Sequence, residues 1–144
     1  GRISERKYPY NSGQMLQSAV LLYRFTGDDS YLHEAQRIAK SGCLYFFEDF
    51  TPLNGTPFKL LKRSDNWFIA VMMRGYAELY HVDGNEHYLD AFKKSLDHAW
   101  NHARDSDGLF SKNWKHVDEN GRKWLLDQAA MLEMYARISA FDNE

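Results

Sequence analysis

Three tyrosines end three similar apolar stretches of this chain, and their spacing limits the folds that the sequence can adopt. Tyr23, Tyr80 and Tyr135 are separated by 57 and 55 residues. After the first two, the chain continues alike, as LYRFTGDDSYL from Leu22 and LYHVDGNEHYL from Leu79. A repeat of this length is one structural unit used several times, and each unit is long enough for two helices and their connections. The repeat therefore predicts an all-α array of helical hairpins, and no strand pattern is recognised in the sequence.

The two kinds of helix in each unit differ in where their apolar residues fall. Residues 12–25 and 67–80 are apolar on most sides, which is typical of helices enclosed by other helices. We call these two, together with residues 124–140, the inner helices. Residues 29–47 and 86–103 carry a single apolar stripe of helical period, with polar residues opposite. We expect these to be outer helices, exposed to solvent on one side.

The connections alternate in length, and the alternation indicates a candidate binding face. Inner helices reach outer helices through tight turns, in which Gly27 and Gly84 follow one helix and Asp28 can cap the next. The return connections, residues 48–64 and 104–123, are long. Long loops inside a compact domain are usually functional. Because both long loops lie at the same end, we expect the binding face at the N-termini of the inner helices.

Composition excludes several classes of function. The chain has 144 residues and a formal net charge of −2, as expected for one helical domain over residues 1–144. No basic stripe is present to attract nucleic acid. The longest apolar run, residues 67–73, is too short to cross a bilayer. Cys43 is the single cysteine, so no disulfide forms within the chain. We expect neither nucleic-acid binding nor membrane insertion.

Segments that open two inner helices are similar to segments of a known enzyme family. YPYNSGQM at residues 8–15, followed by LYRFTGD at 22–28 and by Tyr31-Leu32, resembles the Tyr-Asn-x-Gly segment, apolar helix and Leu-Tyr-x-x-Thr-Gly-Asp of glycoside hydrolase family 76. FIAVMMRG at residues 68–75 resembles a second family stretch, with Ile-Ala where the family tends to have Lys-Gly. That family contains the bacterial endo-α-1,6-mannanases and their fungal cell-wall relatives. The resemblance covers nearly the whole chain.

The resemblance implies a fold, a reaction and a location. Helical hairpins of this kind close into a ring, the (α/α)6 toroid, and the chain is expected to form about half of it, the C-terminal half. The implied activity is retaining hydrolysis of α-1,6-linked mannose polymers without a cofactor, in a secreted, periplasmic or surface-bound protein. The family's catalytic pair is two adjacent aspartates beside tryptophan, ahead of the Tyr-Asn-x-Gly segment. No such context occurs here, so the catalytic residues are expected upstream and this chain alone is expected to be inactive.

Two constellations that could carry chemistry are given structural interpretations. Asp28-Asp29 is the only adjacent aspartate pair. Asp28 takes a capping position that Asn85 repeats in the next unit, and Asp29 falls in the first helical turn, where the helix dipole favours negative charge. His98 and His102 have the i,i+4 spacing of metal ligands, but no third ligand is evident. We interpret the histidines as solvated and expect no metal site.

Residues on or near the long-loop end are the candidates for contact with sugar. They are Tyr10, Asn11, Gln14, Trp67, Trp114, Asp127 and Gln128. Aromatic faces stack on pyranose rings, although ordinary core packing is the favoured interpretation of Trp67 and Trp124. We expect Trp114 to be exposed, because no periodic apolar stripe surrounds it. Asn11 and Gln14 also fit a capping box, with Asn11 as the N-cap, and capping is compatible with sugar contact.

Two further expectations concern an ion pair on one inner helix and the uncovered ends of the helical array. Arg74 and Glu78 lie four residues apart on the most apolar helix, a spacing that predicts a buried ion pair. Half a ring would leave apolar helix faces uncovered at both edges, which predicts self-association or binding to a separately made N-terminal half.

Two other functions remain open at this point. One is a non-catalytic carbohydrate-binding or scaffold module built as an open solenoid, and the other is a different (α/α)6 enzyme, such as an epimerase or an unsaturated-glycuronyl hydrolase. A solenoid needs polar caps at its ends, whereas residues 67–73 and 124–126 are strongly apolar. An epimerase is expected to have histidine-rich catalytic loops, and only His116 lies in a long loop. The first observation supports the toroid over the solenoid, and the second argues against an epimerase.

Overall fold

A computed structural model describes residues 5–141, and within them the chain forms five helices and one short β-hairpin. In chain order the elements are α1 (Pro9–Thr26), α2 (Asp29–Phe46), β1 (Phe47–Phe50), β2 (Phe58–Leu61), α3 (Asn66–Asp83), α4 (His87–His102) and α5 (Leu125–Phe141). The inner helices α1, α3 and α5 pack side by side, and the outer helices α2 and α4 pack against them. In this part of the chain, no helix has the length and apolar character needed to cross a membrane.

The two tight turns have the same geometry, which confirms the sequence repeat. Gly27 and Gly84 both adopt the left-handed conformation, with φ of 70° and 64°, which glycine takes without a clash from a Cβ. Their N–H groups donate to the carbonyls of Tyr23 and Tyr80, each at 2.8 Å. Each bond satisfies a carbonyl that the helix end leaves free. The two complete units therefore end their inner helices in the same way.

Asp28 caps α2, as the sequence predicts. Its carboxylate accepts a hydrogen bond from the Ser30 N–H at 2.9 Å, and this bonding holds the pKa of Asp28 below its ordinary value. The N-cap residue of α4 is Glu86, so the predicted capping position of Asn85 is wrong by one residue. Asn85 still accepts from the His87 N–H at 3.1 Å. The polar residue after each glycine thus satisfies a free donor of the next helix.

The first long connection contains a β-hairpin, so the expectation of a chain without strands is wrong here. Strands β1 and β2 pair antiparallel, with Phe47 opposite Leu61 and Phe50 opposite Phe58. Phe47 and Leu61 are buried, and the Phe47 ring packs edge-on against Phe92 of α4 at 5.2 Å. Four-residue strands are too short to give a clear period-2 pattern. Packing on α4 therefore stabilises the two strands, although no local sequence pattern indicates them.

Helices α1 and α3 approach closely where two glycines meet. A Cβ on Gly75 would lie 2.5 Å from the Gly13 carbonyl oxygen, and a Cβ on Gly13 would lie 2.8 Å from the Met72 backbone nitrogen. Both distances are far inside van der Waals contact, so a side chain at either position would push the helices apart. The glycine contact therefore sets the distance between α1 and α3 where the two helices pack together.

Ion pairs join the three inner helices, but not in the predicted pairing. Arg74 binds Glu133 of α5 through two hydrogen bonds of 2.7 Å. Glu78 pairs with Arg24 of α1, also at 2.7 Å. The predicted ion pair between Arg74 and Glu78 is wrong, because each of them pairs at 2.7 Å with a residue of opposite charge on a neighbouring helix. These side chains are also partly exposed rather than buried.

Candidate functional site

A cluster of aromatic rings lies at the N-termini of α1 and α3, at the long-loop end. Tyr10 stacks on Trp67, with ring centres 5.8 Å apart and planes at 21°, and it contacts Phe68 at 4.6 Å. Tyr8 adds a ring 5.7 Å from Tyr10. All four residues are half-buried, so the cluster presents ring surface to solvent. Such a surface can stack on the apolar face of a sugar ring.

Beside the aromatic cluster, Lys112 of the second long loop lies between two carboxylates. Its Nζ donates to Asp65 Oδ1 at 2.5 Å and pairs with Asp127 Oδ2 at 3.3 Å. Asp127 is 1% exposed, and its other oxygen accepts from the Trp67 backbone N–H at 3.3 Å. Partial burial acts to lower the pKa of Lys112, but the hydrogen bond to Asp65 and the charge of Asp127 outweigh it, so the pKa is raised. Lys112 therefore stays protonated and links the starts of α3 and α5.

Trp124 extends this charged and aromatic surface. The Lys112 Nζ lies 4.5 Å from the centre of the Trp124 ring, a cation–π contact. Because α5 begins at Leu125, Trp124 stands just before the helix and is 43% exposed. The interpretation of Trp124 as an ordinary core residue is therefore wrong.

The second long loop is held over the helix N-termini by side-chain amides. Gln128 accepts from the Phe110 N–H at 2.8 Å and donates to the Phe110 carbonyl at 3.0 Å. Asn66, which is fully buried, donates to the Ser111 carbonyl at 3.2 Å. These bonds fix the position of Lys112, which follows Ser111 in the chain. Both ends of the Gln128 amide already bind the loop. Direct contact of Gln128 with sugar stays a prediction.

Trp114 is buried, so the expectation that it is exposed is wrong. Its exposed fraction is 1% and it belongs to the hydrophobic core. The loop folds back against α4, where the Lys115 carbonyl lies 3.2 Å from Nε2 of His98. A core residue supplied by an irregular loop leaves no helical period in the sequence, which is why its burial was not predicted. The burial also removes the reason for expecting Trp114 to contact sugar.

Asn11 and Gln14 are exposed and lie in the first two turns of α1. The helix begins at Pro9, with Tyr8 as its N-cap residue, because proline suits the first helical position. Asn11 is therefore inside the helix, and the predicted capping box is wrong. Contact of Asn11 and Gln14 with sugar stays a prediction.

Three residues of the site were not predicted. Tyr8 lies two residues before Tyr10, and Phe68 directly follows Trp67, so each of these two was indicated by an aromatic neighbour in the sequence. Lys112 had no comparable signal, because its role depends on carboxylates that come from two other segments. It is recognised only when the loop, α3 and α5 are brought together.

The two histidines of α4 form a stacked pair. His98 and His102 have ring centres 4.4 Å apart, and His98 packs edge-on against Phe50 of the hairpin at 4.9 Å. This burial lowers the pKa of His98, so the expectation of a solvated residue holds for His102 only. Among residues 5–141, no three His, Cys, Asp or Glu side chains are grouped so as to hold a metal ion.

Comparison with known proteins identifies several relatives. The family model described as glycosyl hydrolase family 76 matches residues 1–136. A family 76 glycoside hydrolase from a bovine Bacteroides thetaiotaomicron strain is 34% identical, with a TM-score of 0.91 over 99% of this chain and 31% of its own. A family 76 mannosidase from the same species is also 34% identical, with a TM-score of 0.90 over 100% of this chain and 40% of its own. No significant match was found among curated proteins.

A more distant relative shares the fold. The α-1,6-mannanase from a Salegentibacter species is 20% identical, with a TM-score of 0.72 over 95% of this chain and 40% of its own. An inactive variant of that enzyme, with two adjacent aspartates replaced by alanine, is known in complex with α-1,6-mannotetrose. This chain therefore spans 31% to 40% of the length of these three relatives.

Proposed function

Since the chain belongs to glycoside hydrolase family 76, and its helical hairpins are part of the α/α toroid of those enzymes, we propose that it forms part of the substrate cleft of an α-mannan hydrolase. The mannosidase and the α-1,6-mannanase among its structural relatives support α-mannosidic polymers as the substrate class. The relative in complex with α-1,6-mannotetrose supports binding of an oligosaccharide. The whole enzyme would cleave an α-1,6-mannosidic bond with retention of configuration.

The stacking of Tyr10 on Trp67 is the observation that carries this proposal. The two rings come from different inner helices and lie half-buried at the long-loop end. Next to them, the partly exposed Lys112 pairs with the buried Asp127, and the other carboxylate oxygen of Asp127 accepts from the Trp67 N–H. A pyranose presents an apolar face and a rim of hydroxyl groups. The aromatic rings suit the apolar face, and the neighbouring charged group suits the hydroxyl groups.

We propose that the catalytic carboxylates come from outside these 144 residues. A retaining glycosidase needs two carboxyl groups about 5–5.5 Å apart across the scissile bond. The only adjacent aspartates here, Asp28-Asp29, lie at the start of α2, where Asp28 caps the helix. That position is at the opposite end of α1 from Tyr10, about 25 Å away along the helix. The inactive relative with two adjacent aspartates replaced supports a pair of that kind as the missing element.

Calorimetric titration with α-1,6-mannotetraose tests the cleft. We expect the chain to bind the oligosaccharide and Trp67→Ala to weaken the affinity about tenfold, the loss of one stacked ring. Tyr10→Ala should weaken it as well, which guards against a folding defect specific to one variant. Trp100→Ala is the matched control, because Trp100 is an exposed tryptophan on the outer helix α4. Absence of binding, or equal loss in the control, would overturn the proposal.

An assay of reducing ends on α-1,6-mannan tests the missing catalytic pair. We expect no hydrolysis by this chain alone, and turnover when it is part of a complete family 76 domain. Hydrolysis by the isolated chain would overturn the proposal that the carboxylates lie elsewhere. Binding without turnover in the complete domain would favour the second candidate function, a non-catalytic carbohydrate-binding module, which the exposed aromatic surface also supports.

We further propose that other helical hairpins cover the two edges of the array. Helix α1 exposes Met15, Leu22 and Phe25, and α5 exposes Leu125 and Leu132. Burial stabilises by about 25 cal/mol per Å² of apolar surface, so both edges favour a covering partner. The partial coverage of the relatives supports the remainder of such a ring as that partner. In its absence, a second copy of this chain would occupy the same faces.

A further inference from the structure

A groove beside the aromatic cluster has a basic lining, although the chain as a whole has a formal net charge of −2. The groove has a volume of about 410 Å³ and lies between the start of α1, the end of α2 and residues 62–64, which lead into α3. Its charged lining residues are Lys7, Lys62 and Arg63. Among the residues that the structure describes, no carboxylate lines this groove.

Tyr45 brings two of these cations together. The Lys7 Nζ lies 4.7 Å from the centre of the Tyr45 ring, and the Lys62 Nζ lies 5.5 Å from it. Lys62 also donates to the Tyr45 carbonyl at 2.6 Å. Cation–π and carbonyl contacts hold an ammonium group in place without neutralising its charge. Both ammonium groups are therefore held at a groove whose described lining residues include no carboxylate.

The two lysines lack the anionic partner that Arg63 has. Arg63 pairs with Asp118 at 3.0 Å, whereas Lys7 and Lys62 form no ion pair with any residue in 5–141. Two like charges held on one ring repel each other. An anion in the groove would offset this repulsion, and the Ser64 side chain in the lining adds a neutral donor.

We infer that this groove binds a phosphate ester carried by a sugar of the glycan. A phosphate monoester has close to two negative charges at pH 7, which matches two ammonium groups, and lysine binds phosphate as a point charge. The inference rests on the proposed function, because Tyr8 both lines the groove and contacts the Tyr10 ring. A glycan stacked on the aromatic cluster would therefore reach the lysines with a charged substituent.

NMR titration of the intact chain with mannose 6-phosphate, mannose and inorganic phosphate tests the inference. We expect mannose 6-phosphate to bind at least about tenfold more tightly than either component alone, with backbone amide shifts at Tyr45 and at residues 62–64. Raising the salt concentration should weaken the binding, since exposed charges are screened. The double variant Lys7→Gln, Lys62→Gln should lose about tenfold in affinity. Lys40→Gln, an exposed lysine on α2, is the matched control.

The outcomes separate this inference from the proposed function. Equal binding of inorganic phosphate and mannose 6-phosphate, or an unchanged affinity in the double variant, would overturn it. Preferential binding to vesicles that contain anionic lipid would also overturn it, because the phosphate source would then be a membrane. Neutral α-1,6-mannotetraose should bind equally to the double variant and to the unaltered chain. If the neutral oligosaccharide binds while mannose 6-phosphate binds no better than mannose, the inference fails and the proposed function stands.

Discussion

Arg74 on α3 holds Glu133 on α5 through two parallel hydrogen bonds, each 2.7 Å long. Paired bonds of this kind between guanidinium and carboxylate are among the strongest that side chains form. Arg137 donates to the same carboxylate at 2.9 Å. The hydrogen bond from Arg74 holds the pKa of Glu133 below its ordinary value, against the opposite effect of partial burial. Glu133 is therefore the anionic centre that joins two inner helices.

We predict that this ion pair makes the stability of the fold sensitive to acid. A carboxyl group with a lowered folded-state pKa contributes stability above its unfolded pKa, and the contribution is lost as pH falls through the folded value. With an ordinary pKa of 4.5 for glutamate, the loss should occur below about pH 4.5. Glu133→Gln should lower the free energy of unfolding by about 1 kcal/mol at pH 7, allowing for solvent screening. Urea unfolding at pH 7 and pH 3 measures the effect.

The control for this ion pair is Glu34→Gln, which breaks an exposed pair with Arg37 within α2. It should change stability little at either pH. The difference between Glu133→Gln and the unaltered chain should shrink at pH 3. A difference that stays constant with pH would contradict the assigned role of the Glu133 charge.

The glycine contact between α1 and α3 predicts that alanine is destabilising there. Alanine normally stabilises a helix by about 1 kcal/mol relative to glycine. At Gly75, however, the new Cβ would lie 2.5 Å from the Gly13 carbonyl oxygen, so Gly75→Ala should cost about 2 kcal/mol or more. Ser18→Ala, at an exposed position of α1, should instead be neutral or slightly stabilising. Thermal unfolding measures the stability of both variants relative to the unaltered chain. A Gly75→Ala variant that is more stable than the unaltered chain would contradict the close approach of α1 and α3.

The repeat and the capping residues were predictable because their causes are local. Gly27 follows a helix end and Asp28 begins the next helix, and both roles depend on backbone donors and acceptors a few residues away. The same signals recur at Gly84 and Asn85. The helical hairpins and the long-loop end could therefore be predicted from sequence patterns alone.

The parts that were not predicted depend on contacts between distant segments. Arg74 prefers Glu133 of another helix over the nearby Glu78, and no local spacing reveals that choice. Trp114 is buried by a loop that folds onto α4, where sequence periodicity carries no information. The start of α1 was misjudged because Pro9 favours an earlier helix start than the polar residue Asn11.

The apolar edges predict concentration-dependent self-association. Phe25 on α1 is 90% exposed and Leu132 on α5 is 72% exposed. Phe25→Glu and Leu132→Glu should each shift the mass measured by light scattering towards that of the monomer, because a buried charge at an interface is unfavourable. Leu53→Glu, at an exposed leucine of the hairpin connection, should leave the mass unchanged. A strict monomer at high concentration would contradict the prediction.

The capping role of Asp28 predicts a loss of stability without a loss of binding. Asp28→Ala removes the acceptor of the Ser30 N–H and should lower the melting temperature by a few degrees. Asp28→Asn should retain most of the stability, because asparagine also caps helices. Neither change should alter the affinity for α-1,6-mannotetraose, since the turn lies at the far end of α1 from the aromatic cluster. A loss of affinity in both variants at unchanged stability would point to a direct role in binding.

Lys112 and Asp127 provide the sharpest test of the site. Asp127 is 1% exposed and its carboxylate is paired with Lys112 at 3.3 Å. Lys112→Met would leave a buried charge without its partner, so we expect a loss of about 3 kcal/mol. Adding Asp127→Asn should restore part of the loss, because no buried charge remains. Lys115→Met, which breaks a more exposed pair with Glu48, is the control and should cost much less.

The pH dependence of the Lys112 variants follows from the direction of its pKa shift. A lysine with a raised folded-state pKa contributes stability below its unfolded pKa, and the contribution is lost as pH rises through the folded value. The ordinary value is 10.5, so the unaltered chain should lose this contribution above about pH 10.5. Lys112→Met lacks that contribution at every pH, and the stability gap between the two chains should therefore narrow in alkali. A gap that persists unchanged, or a cost no greater than that of Lys115→Met, would rule out the buried pair as the link between α3, α5 and the loop.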